Sequence, residues 1–293
     1  MIRWLALLLT IAAFGSAHAE TPPAHPMRIV SLNMCVDSIL VELVSHDRIM
    51  ALSHYARDPQ RSTISETARH LPITYETAEE VVALRPDLVL TSRHSAIATR
   101  NALKRVGIRF ELFDVPNSIA GSLEQVRQVA RLLGAEREGE AMVARIEQAL
   151  DAARLPADEQ PLTAAVYQPG GLSAGANTVI GELMQLTGLQ NIAARYGVTS
   201  YRPLPLEVLV SAPPDVLLVG ETSPGAPLRA ERIVRHRALR ALESQMTQEI
   251  FPARFLFCAG PTMIEASEAL VRAREHARSM QRNRVGSPSE AAL

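Results

Sequence analysis

Short apolar runs alternate with amphipathic segments along most of the chain. Seven apolar runs of four to six residues predict β-strands. Strands that alternate with helical patterns favour an α/β fold whose sheets are mainly parallel. The predicted strands are Arg28–Leu32, Ile49–Ser53, Leu88–Thr91, Arg109–Phe113, Thr163–Gln168, Val216–Gly220 and Arg254–Cys258.

Helical patterns fill the spaces between these runs, and several carry start signals. Asn33 is placed to cap the first helix, and Thr77-x-x-Glu80 is a capping box before another. A last helix opens at Pro261-Thr262-x-x-Glu265 and is predicted to run to about Arg282. The other predicted helices are Cys35–Val44, Glu79–Leu84, Thr178–Leu186 and Leu206–Ser211.

The segment Ser122–Arg154 breaks the alternation. It carries two helical stripes, and Gly134 marks a break between them. The second helix, about 20 residues from Ala135, would span about 30 Å at 1.5 Å per residue, the diameter of a small domain. We therefore expect two α/β lobes joined by a long, rigid helix. The expected parts are a leader (1–19), an N-terminal lobe (27–121), the helix pair (122–155), a C-terminal lobe (160–282) and a disordered tail (283–293).

An internal repeat supports two equivalent lobes. Residues 79–90 and 207–218 each begin with a Glu at the start of a short amphipathic helix, followed by Pro-Asp and an apolar strand. Proline cannot continue the helix, so it forces the turn into the strand.

The first nineteen residues have the pattern of a secretory leader. Arg3 precedes an apolar run from Trp4 to Phe14, and Ala17-His18-Ala19 is a cleavage site of A-x-A type. The apolar run is too short to cross a bilayer, which takes about 20 residues. We expect an exported, soluble, periplasmic protein cleaved after Ala19, without a lipid anchor because no cysteine sits at the cleavage point.

Composition excludes some classes of protein. Of 293 residues, 47% are apolar, which is enough for packed cores and excludes a disordered chain. The net charge of −1 argues against a nucleic-acid partner, which needs a basic surface. The two cysteines, Cys35 and Cys258, are too few for a disulfide scaffold; they form either one bridge or two buried thiols.

Two motifs point weakly to other chemistry. Gly171-Leu-Ser173-Ala-Gly175 matches the G-x-S-x-G of serine hydrolases, and Asp215 and His236 follow in the order such enzymes use. The residues around Ser173 predict a loose glycine-rich loop rather than the tight elbow that the chemistry needs. His54, His94 and Cys35 could supply part of a zinc or manganese site, but no spacing enforces it.

Polar and aromatic side chains cluster after the predicted strands. The carboxyl ends of parallel strands share one sheet edge, so two facing lobes would line a cleft with these residues. No paired general acid and base stands among them, which favours binding over catalysis. The candidate ligand-binding residues are Asn33, Cys35, Tyr55, Arg57, Arg93, Tyr167, Gln168, Tyr201, Arg202, Phe257 and Cys258.

Several motifs, taken in order, resemble one known family. They are Arg28-Ile-Val-Ser-Leu-Asn33, Ile49-Met-Ala-Leu-Ser53 with Tyr55 and Asp58-Pro59, the segment 79–90, Glu207-x7-Asp215, and Gly260-Pro261 before the last helix. This set resembles the periplasmic substrate-binding proteins of ABC importers for iron–siderophore complexes and cobalamin. The resemblance implies two Rossmann-like lobes, a rigid connecting helix and a ligand in the cleft. It also implies that Glu79 and Glu207, one per lobe, dock onto arginines of the inner-membrane permease.

The departures from the family concern the ligand. Cobalamin-binding members use tryptophans in the cleft, whereas this chain has none after Trp4, and Tyr201 stands where such an aromatic is expected. Tyr55, Tyr75, Tyr167 and Tyr201 could face a corrin or a catecholate. Arg57, Arg93 and Arg202 could pair with ligand carboxylates.

Cys35 and Cys258 fall on the cleft edge of different lobes in this family arrangement. Oxidised together, they would hold the lobes together. A free Cys35 near a helix N-terminus would have thiolate character and could contact a metal centre.

The sequence thus predicts a monomeric binding protein without catalytic residues or a cofactor of its own. It would capture a metal chelate and deliver it to an ABC permease. We expect a ferric siderophore first, and cobalamin or haem next. The alternatives are a serine hydrolase using Ser173 and a receptor for bare zinc or manganese.

Overall fold

A computed structural model describes residues 25–221, 236–242 and 245–286. The predicted leader, 1–19, lies outside the described residues.

The N-terminal sheet is parallel throughout. Its strands are β1 (Ile29–Ser31), β2 (Ile49–Ser53), β3 (Ile73–Thr74), β4 (Leu88–Ser92) and β5 (Phe110–Phe113), in the spatial order β3–β2–β1–β4–β5. The helices of this lobe are α1 (Met34–Leu43), α2 (Ser65–Ala68), α3 (Ala78–Ala83) and α4 (Ile97–Arg105). The order reverses at β1, which places a topological switch point between β1 and β4.

A helix pair follows, α5 (Ile119–Leu133) and α6 (Glu136–Ala153). Ser118 caps α5, and Gly134 ends it in the left-handed conformation, at φ 65°, which glycine adopts without strain. The 18 residues of α6 make it about 27 Å long.

The C-terminal sheet repeats the plan. Its parallel strands are β6 (Leu162–Tyr167), β8 (Leu189–Asn191), β10 (Val216–Val219) and β11 (Thr247–Ile250), in the order β11–β10–β6–β8. A separate antiparallel pair joins β7 (Leu172–Ser173) to β9 (Arg202–Pro203). The helices are α7 (Val179–Leu186), α8 (Leu206–Ser211), α9 (Arg237–Arg240), α10 (Arg254–Phe257) and α11 (Thr262–Gly286).

One apolar core runs through both lobes. Ile29 and Leu90 of the N-terminal sheet belong to the same buried cluster as Ile146 of α6 and Val166 and Leu218 of the C-terminal sheet. Helix α6 packs against α1 on one side and α11 on the other. Because moving one lobe would disrupt this shared core, closure by a large hinge is disfavoured.

Two aspartates show that the lobes are equivalent in detail. Asp87, before β4, accepts hydrogen bonds from the backbone N–H groups of Met27 and Arg28 at 2.8 and 3.1 Å. Asp215, before β10, accepts one from the backbone N–H of Thr163 at 2.7 Å. In each lobe the Pro-Asp turn therefore holds the beginning of the neighbouring strand, which explains the internal repeat.

The sequence expectations needed four corrections. Residues 254–258 are not a strand: Pro252 opens a helical turn there, with Phe255 N–H bonded to its carbonyl at 3.1 Å, and the edge strand is β11. In so short an apolar run, periodicity does not distinguish a strand from a helical turn.

Helix α5 begins three residues before Ser122, and α11 continues to Gly286, into the segment expected to be disordered. Strands β3, β7, β8 and β9, of two or three residues each, were not expected.

Candidate ligand-binding site

An open cavity of about 320 Å³ lies at the carboxyl edge of the N-terminal sheet. Residues that end or follow all five strands of that sheet line it, and Phe257 faces them from the C-terminal lobe. The lining residues are Leu32, Asn33, Met34, Cys35, Tyr55, Glu76, Ser92, His94, Ser95, Val115 and Phe257. The cavity therefore occupies the cleft that the strand-end pattern predicted.

A disulfide between Cys35 and Cys258 joins the lobes beside this cavity, with 5.0 Å between the Cα atoms. Cys35 lies at the start of α1, and Cys258 directly follows α10. The pairing answers the question that the sequence left open. Neither sulfur is a free thiol, so a thiolate contact with a ligand metal is excluded for both.

Asn33 contributes to the cavity mainly through the backbone it fixes. Its side-chain oxygen accepts hydrogen bonds from the N–H groups of Cys35 and Val36, at 3.0 and 3.3 Å. This confirms the predicted cap of α1. The cap holds the first turn of the helix, and with it the disulfide, against the cavity.

An aromatic stack stands beside the cavity. The ring of His54 lies 3.9 Å from that of Tyr55 and 5.1 Å from that of Tyr75, measured between centroids. Tyr75 is 66% exposed, which leaves most of its surface open to a ligand. The Nδ1 atom of His54 is buried without a hydrogen-bond partner and lies 3.9 Å from Oε1 of Glu76.

The three arginines proposed as carboxylate ligands differ in availability. Arg57 donates to the carbonyls of Ala68 and Leu71 at 3.0 and 2.6 Å, so its guanidinium is engaged in the fold. Arg93 pairs with Asp114 at 2.8 Å. Arg202 is exposed on β9, and its side chain has no partner among the described residues.

In the C-terminal lobe the side chains at the carboxyl end of β6 are buried. Tyr167 is fully buried, and burial, with the charge of Glu207, raises the pKa of its phenol to about 12. Gln168 is also buried and donates to the carbonyl of Phe251 at 2.9 Å. Neither lines the cavity, and nor do Tyr201, which directly precedes β9, and Arg202, the first residue of β9. Six of the predicted ligand residues are thus not among those that line the cavity, and Tyr75 and Cys258 lie beside the cavity without lining it. The six are Arg57, Arg93, Tyr167, Gln168, Tyr201 and Arg202.

Sequence reasoning did not select several residues of the lining. Glu76 follows β3, whose two residues are too short to be recognised as a strand. Val115 follows β5 by two positions, and the apolar Leu32 resembles a core residue. Ser92, His94 and Ser95 carried a usable signal, because they end or directly follow a correctly predicted strand.

Glu79 and Glu207 occupy matching positions in the first turns of α3 and α8, and both are exposed. Neither carboxylate has a hydrogen bond or an ion pair within the described ranges. Glu80, the next residue, differs: it accepts from the Thr74 hydroxyl at 2.7 Å and the Tyr75 N–H at 2.8 Å, bonds that lower its pKa. Of these two neighbouring acids, Glu79 is therefore the one available to a partner.

Comparison with known proteins decides the family. The model of the periplasmic binding protein family matches residues 29–251. The chain belongs to the periplasmic binding proteins. Cobalamin-binding proteins from two strains of Halobacterium salinarum are 32% identical to it over 211 residues, which is 70% of this chain. The same segment is 57% of those proteins, so the chain matches little more than half of their length.

Solved structures of periplasmic binding proteins share the fold. The haem-binding protein RhuT from Roseiflexus sp. RS-1 is 24% identical, with a TM-score of 0.66 over 84% of this chain and 98% of RhuT. HutB of Vibrio cholerae, also a haem-binding protein, is 21% identical, with a TM-score of 0.69 over 84% and 98% of the two chains. The vitamin B12-binding protein BtuF of Vibrio cholerae is 18% identical, with a TM-score of 0.64 over 86% and 98%.

The geometry of this periplasmic binding protein does not support a Ser-Asp-His site. Ser173 is fully buried in β7, which follows the carboxyl end of β6. Asp215 lies at the opposite, amino edge of the same sheet, bonded to Thr163. The two members of the expected triad are therefore at opposite edges.

A site for a bare metal ion finds no support either. Within residues 25–221, 236–242 and 245–286, no group of three or more His, Cys, Asp or Glu side chains is arranged to hold a metal. Cys35, one of the three expected ligands, is in the disulfide.

None of the helices in the described part of the chain is both long and apolar enough to cross a membrane.

Proposed function

We propose that this periplasmic binding protein captures a cobalt corrinoid of the cobalamin type in the inter-lobe cavity and delivers it to an ABC permease. The observation that carries the proposal is the cavity itself. It brings apolar, aromatic and hydroxyl groups to one sheet edge, with little positive charge that a ligand could use. Such a lining suits a large, amide-bearing, nearly neutral ligand.

The arginines argue against a strongly anionic ligand. Recognition of carboxylates uses guanidinium groups with free N–H donors. Of the three arginines considered, Arg57 is bonded to backbone carbonyls, Arg93 is paired with Asp114, and the unpaired Arg202 does not line the cavity. Glu76 adds a half-buried carboxylate to the cavity wall. A ferric siderophore of the catecholate or carboxylate type, or haem, would bring negative charge into these surroundings; a ferric siderophore was the ligand favoured from the sequence.

The relatives support the same choice. The Halobacterium salinarum proteins, which are 32% identical to this chain, are described as cobalamin-binding. A stacking surface is available despite the lack of tryptophan after Trp4, because Tyr55 and the exposed Tyr75 flank His54. Aromatic rings of this kind can cover the face of a corrin.

Haem is the second candidate, and the same stack favours it. Phenol oxygen and imidazole nitrogen are both ligands of haem iron. Tyr55 lines the cavity, and His54 and Tyr75 stack beside it. This arrangement could supply an axial ligand if the cavity took haem.

Export and docking complete the proposal. The leader 1–19 would direct the chain to the periplasm, where a monomer would meet an inner-membrane permease. Glu79 and Glu207 have the exposure and the symmetric placement that contact with a two-fold permease requires.

Calorimetric titration of the purified protein against cyanocobalamin, haemin and a ferric catecholate tests the ligand. We expect cyanocobalamin to bind with unit stoichiometry and the most tightly of the three. Tyr55→Ala should weaken binding by about tenfold, the effect of losing one aromatic contact. Tyr196→Ala, which removes an exposed tyrosine of the C-terminal lobe, is the matched control and should change nothing. Tight binding of haemin with no binding of cyanocobalamin would contradict the corrinoid assignment.

A further inference from the structure

Glu76 has a backbone conformation that its side chain does not favour. Its φ is 69°, in the left-handed region, where a residue other than glycine is strained. Two hydrogen bonds hold it there: its N–H donates to the Thr74 hydroxyl at 3.0 Å, and its carbonyl accepts from the Thr99 hydroxyl at 3.1 Å. Glycine at this position would remove the strain, so the glutamate side chain itself calls for an explanation.

The conformation places the Glu76 carboxylate at the wall of the cavity. Its side chain is 24% exposed, and burial raises its pKa above the usual value for a glutamate. No hydrogen bond to this carboxylate occurs within the described part of the chain. The nearest cationic candidate is His54, whose Nδ1 lies 3.9 Å from Oε1, beyond hydrogen-bond distance. The carboxylate can therefore accept hydrogen bonds from a ligand.

Apart from His54, no basic side chain of the described residues forms an ion pair with this carboxylate. Asp37 is buried under the same sheet edge, bonded to Ser53, and interacts electrostatically with Glu76. Arg93 is paired with Asp114, and Arg57 with backbone carbonyls. A ligand carboxylate at this wall would be repelled, whereas an amide or amine N–H would be attracted.

We infer that Glu76 is a specificity-determining residue of the cavity, which accepts a hydrogen bond from an N–H donor of the ligand and rejects ligands with a carboxylate at that place. The inference rests on the proposed function for the identity of the ligand. It adds a rule of selection: side-chain amides are accepted, and the corresponding acids are not.

The experiment measures dissociation constants at about pH 8, where carboxylates are ionised. The probes are cyanocobalamin, its derivatives in which one side-chain amide is hydrolysed to the acid, and haemin. For the wild type we expect cyanocobalamin to bind at least about tenfold more tightly than the worst acid derivative. Glu76→Gln should reduce that ratio to about threefold or less and should tighten haemin binding. Glu136 is an exposed glutamate in the first turn of α6, and Glu136→Gln should leave that ratio and the affinity for haemin unchanged.

A second variant separates specificity from folding. Glu76→Gly removes the carboxylate and adopts a positive φ without strain, so it should lose discrimination as Glu76→Gln does while melting no lower than the wild type. If corrinoids bind and the ratio is the same in Glu76→Gln as in the wild type, the inference is wrong and the proposed function stands. If only haemin binds, the proposed function fails, and the inference is decided by haemin: tighter binding to Glu76→Gln supports it, and unchanged binding overturns it.

Discussion

The two lobes share a frame and differ at the edge where a ligand can bind. Both contain a parallel sheet with the same spatial order of strands, β2–β1–β4–β5 in the N-terminal lobe and β8–β6–β10–β11 in the C-terminal lobe. Both also contain a short helix that begins with an exposed glutamate, and a Pro-Asp turn that holds the adjacent strand. In the N-terminal lobe the strand ends open into the cavity. In the C-terminal lobe the β7–β9 pair covers them, and Tyr167 and Gln168 are buried. Topology therefore fixes where a site can form, and the local loops decide whether it does.

A second difference concerns one acid in each lobe. Asp37 is the fourth residue of α1, and Glu182 is the fourth of α7. Asp37 is fully buried and bonded to the N–H and hydroxyl of Ser53. Glu182 is half-buried and accepts from the N–H of Ile119 at 2.7 Å, at the start of α5. The C-terminal acid thus fastens the helix pair, while the N-terminal acid lies beneath the cavity.

Removing the disulfide tests whether the two lobes unfold separately, and it should have the largest effect. The bridge closes a loop of 223 residues, and replacing both Cys35 and Cys258 by serine should cost about 3–5 kcal/mol of unfolding free energy. Because the apolar core is continuous across the lobes, we expect a single transition in calorimetry for the variant and the wild type alike. Two resolved transitions in the variant would mean that the lobes are independent folding units.

The pH dependence of stability should reveal the buried acid of the N-terminal lobe, Asp37. Burial raises the pKa of Asp37 to about 7, even though hydrogen bonds from Ser31 and Ser53 oppose the shift. The native state therefore holds a proton that the unfolded state releases near pH 4, so this group's contribution to stability is complete below about pH 4 and is lost as pH rises towards and through 7. The loss amounts to roughly 4 kcal/mol.

Urea unfolding from pH 4 to 8 measures this effect. Asp37→Asn should remove most of the decline, because the amide stays neutral and can accept the same bonds from Ser53. A wild-type slope in Asp37→Asn would show that Asp37 is ionised throughout this range.

Many of the helices and strands could be predicted from the sequence, because hydrophobic periodicity and helix-capping residues are local signals. Six of seven predicted strands are present, and the side-chain caps at Asn33 and Thr77 form as expected. The seventh, 254–258, failed because an apolar run flanked by Pro252 suits a helical turn as well as a strand. Strands as short as β3 have no period to detect.

The site was less predictable, for a physical reason. Position after a strand indicated Asn33, Cys35 and Tyr55, which line the cavity, but it could not show that Tyr167 is buried. Nor could it show that Arg57 is bonded to carbonyls 11 and 14 residues away along the chain. Both depend on contacts between segments, which sequence position alone does not encode. The pairing of Cys35 with Cys258 is of the same kind.

The exposed glutamates offer the test with the smallest expected effect on the isolated protein. Glu79→Ala and Glu207→Ala remove charges that have no partner in the described residues, so the ligand dissociation constant and the melting temperature should stay as in the wild type. Transport through the reconstituted permease should fall strongly for each single variant and further for the double variant, because rim charges govern encounter and orientation. Glu136→Ala is the control on an exposed first turn outside the repeat. Equal losses for Glu79→Ala and Glu207→Ala would mean that the lobes are equivalent towards the permease although they differ towards the ligand. Weakened ligand binding in either variant would contradict a docking role, since it would place that glutamate in the site.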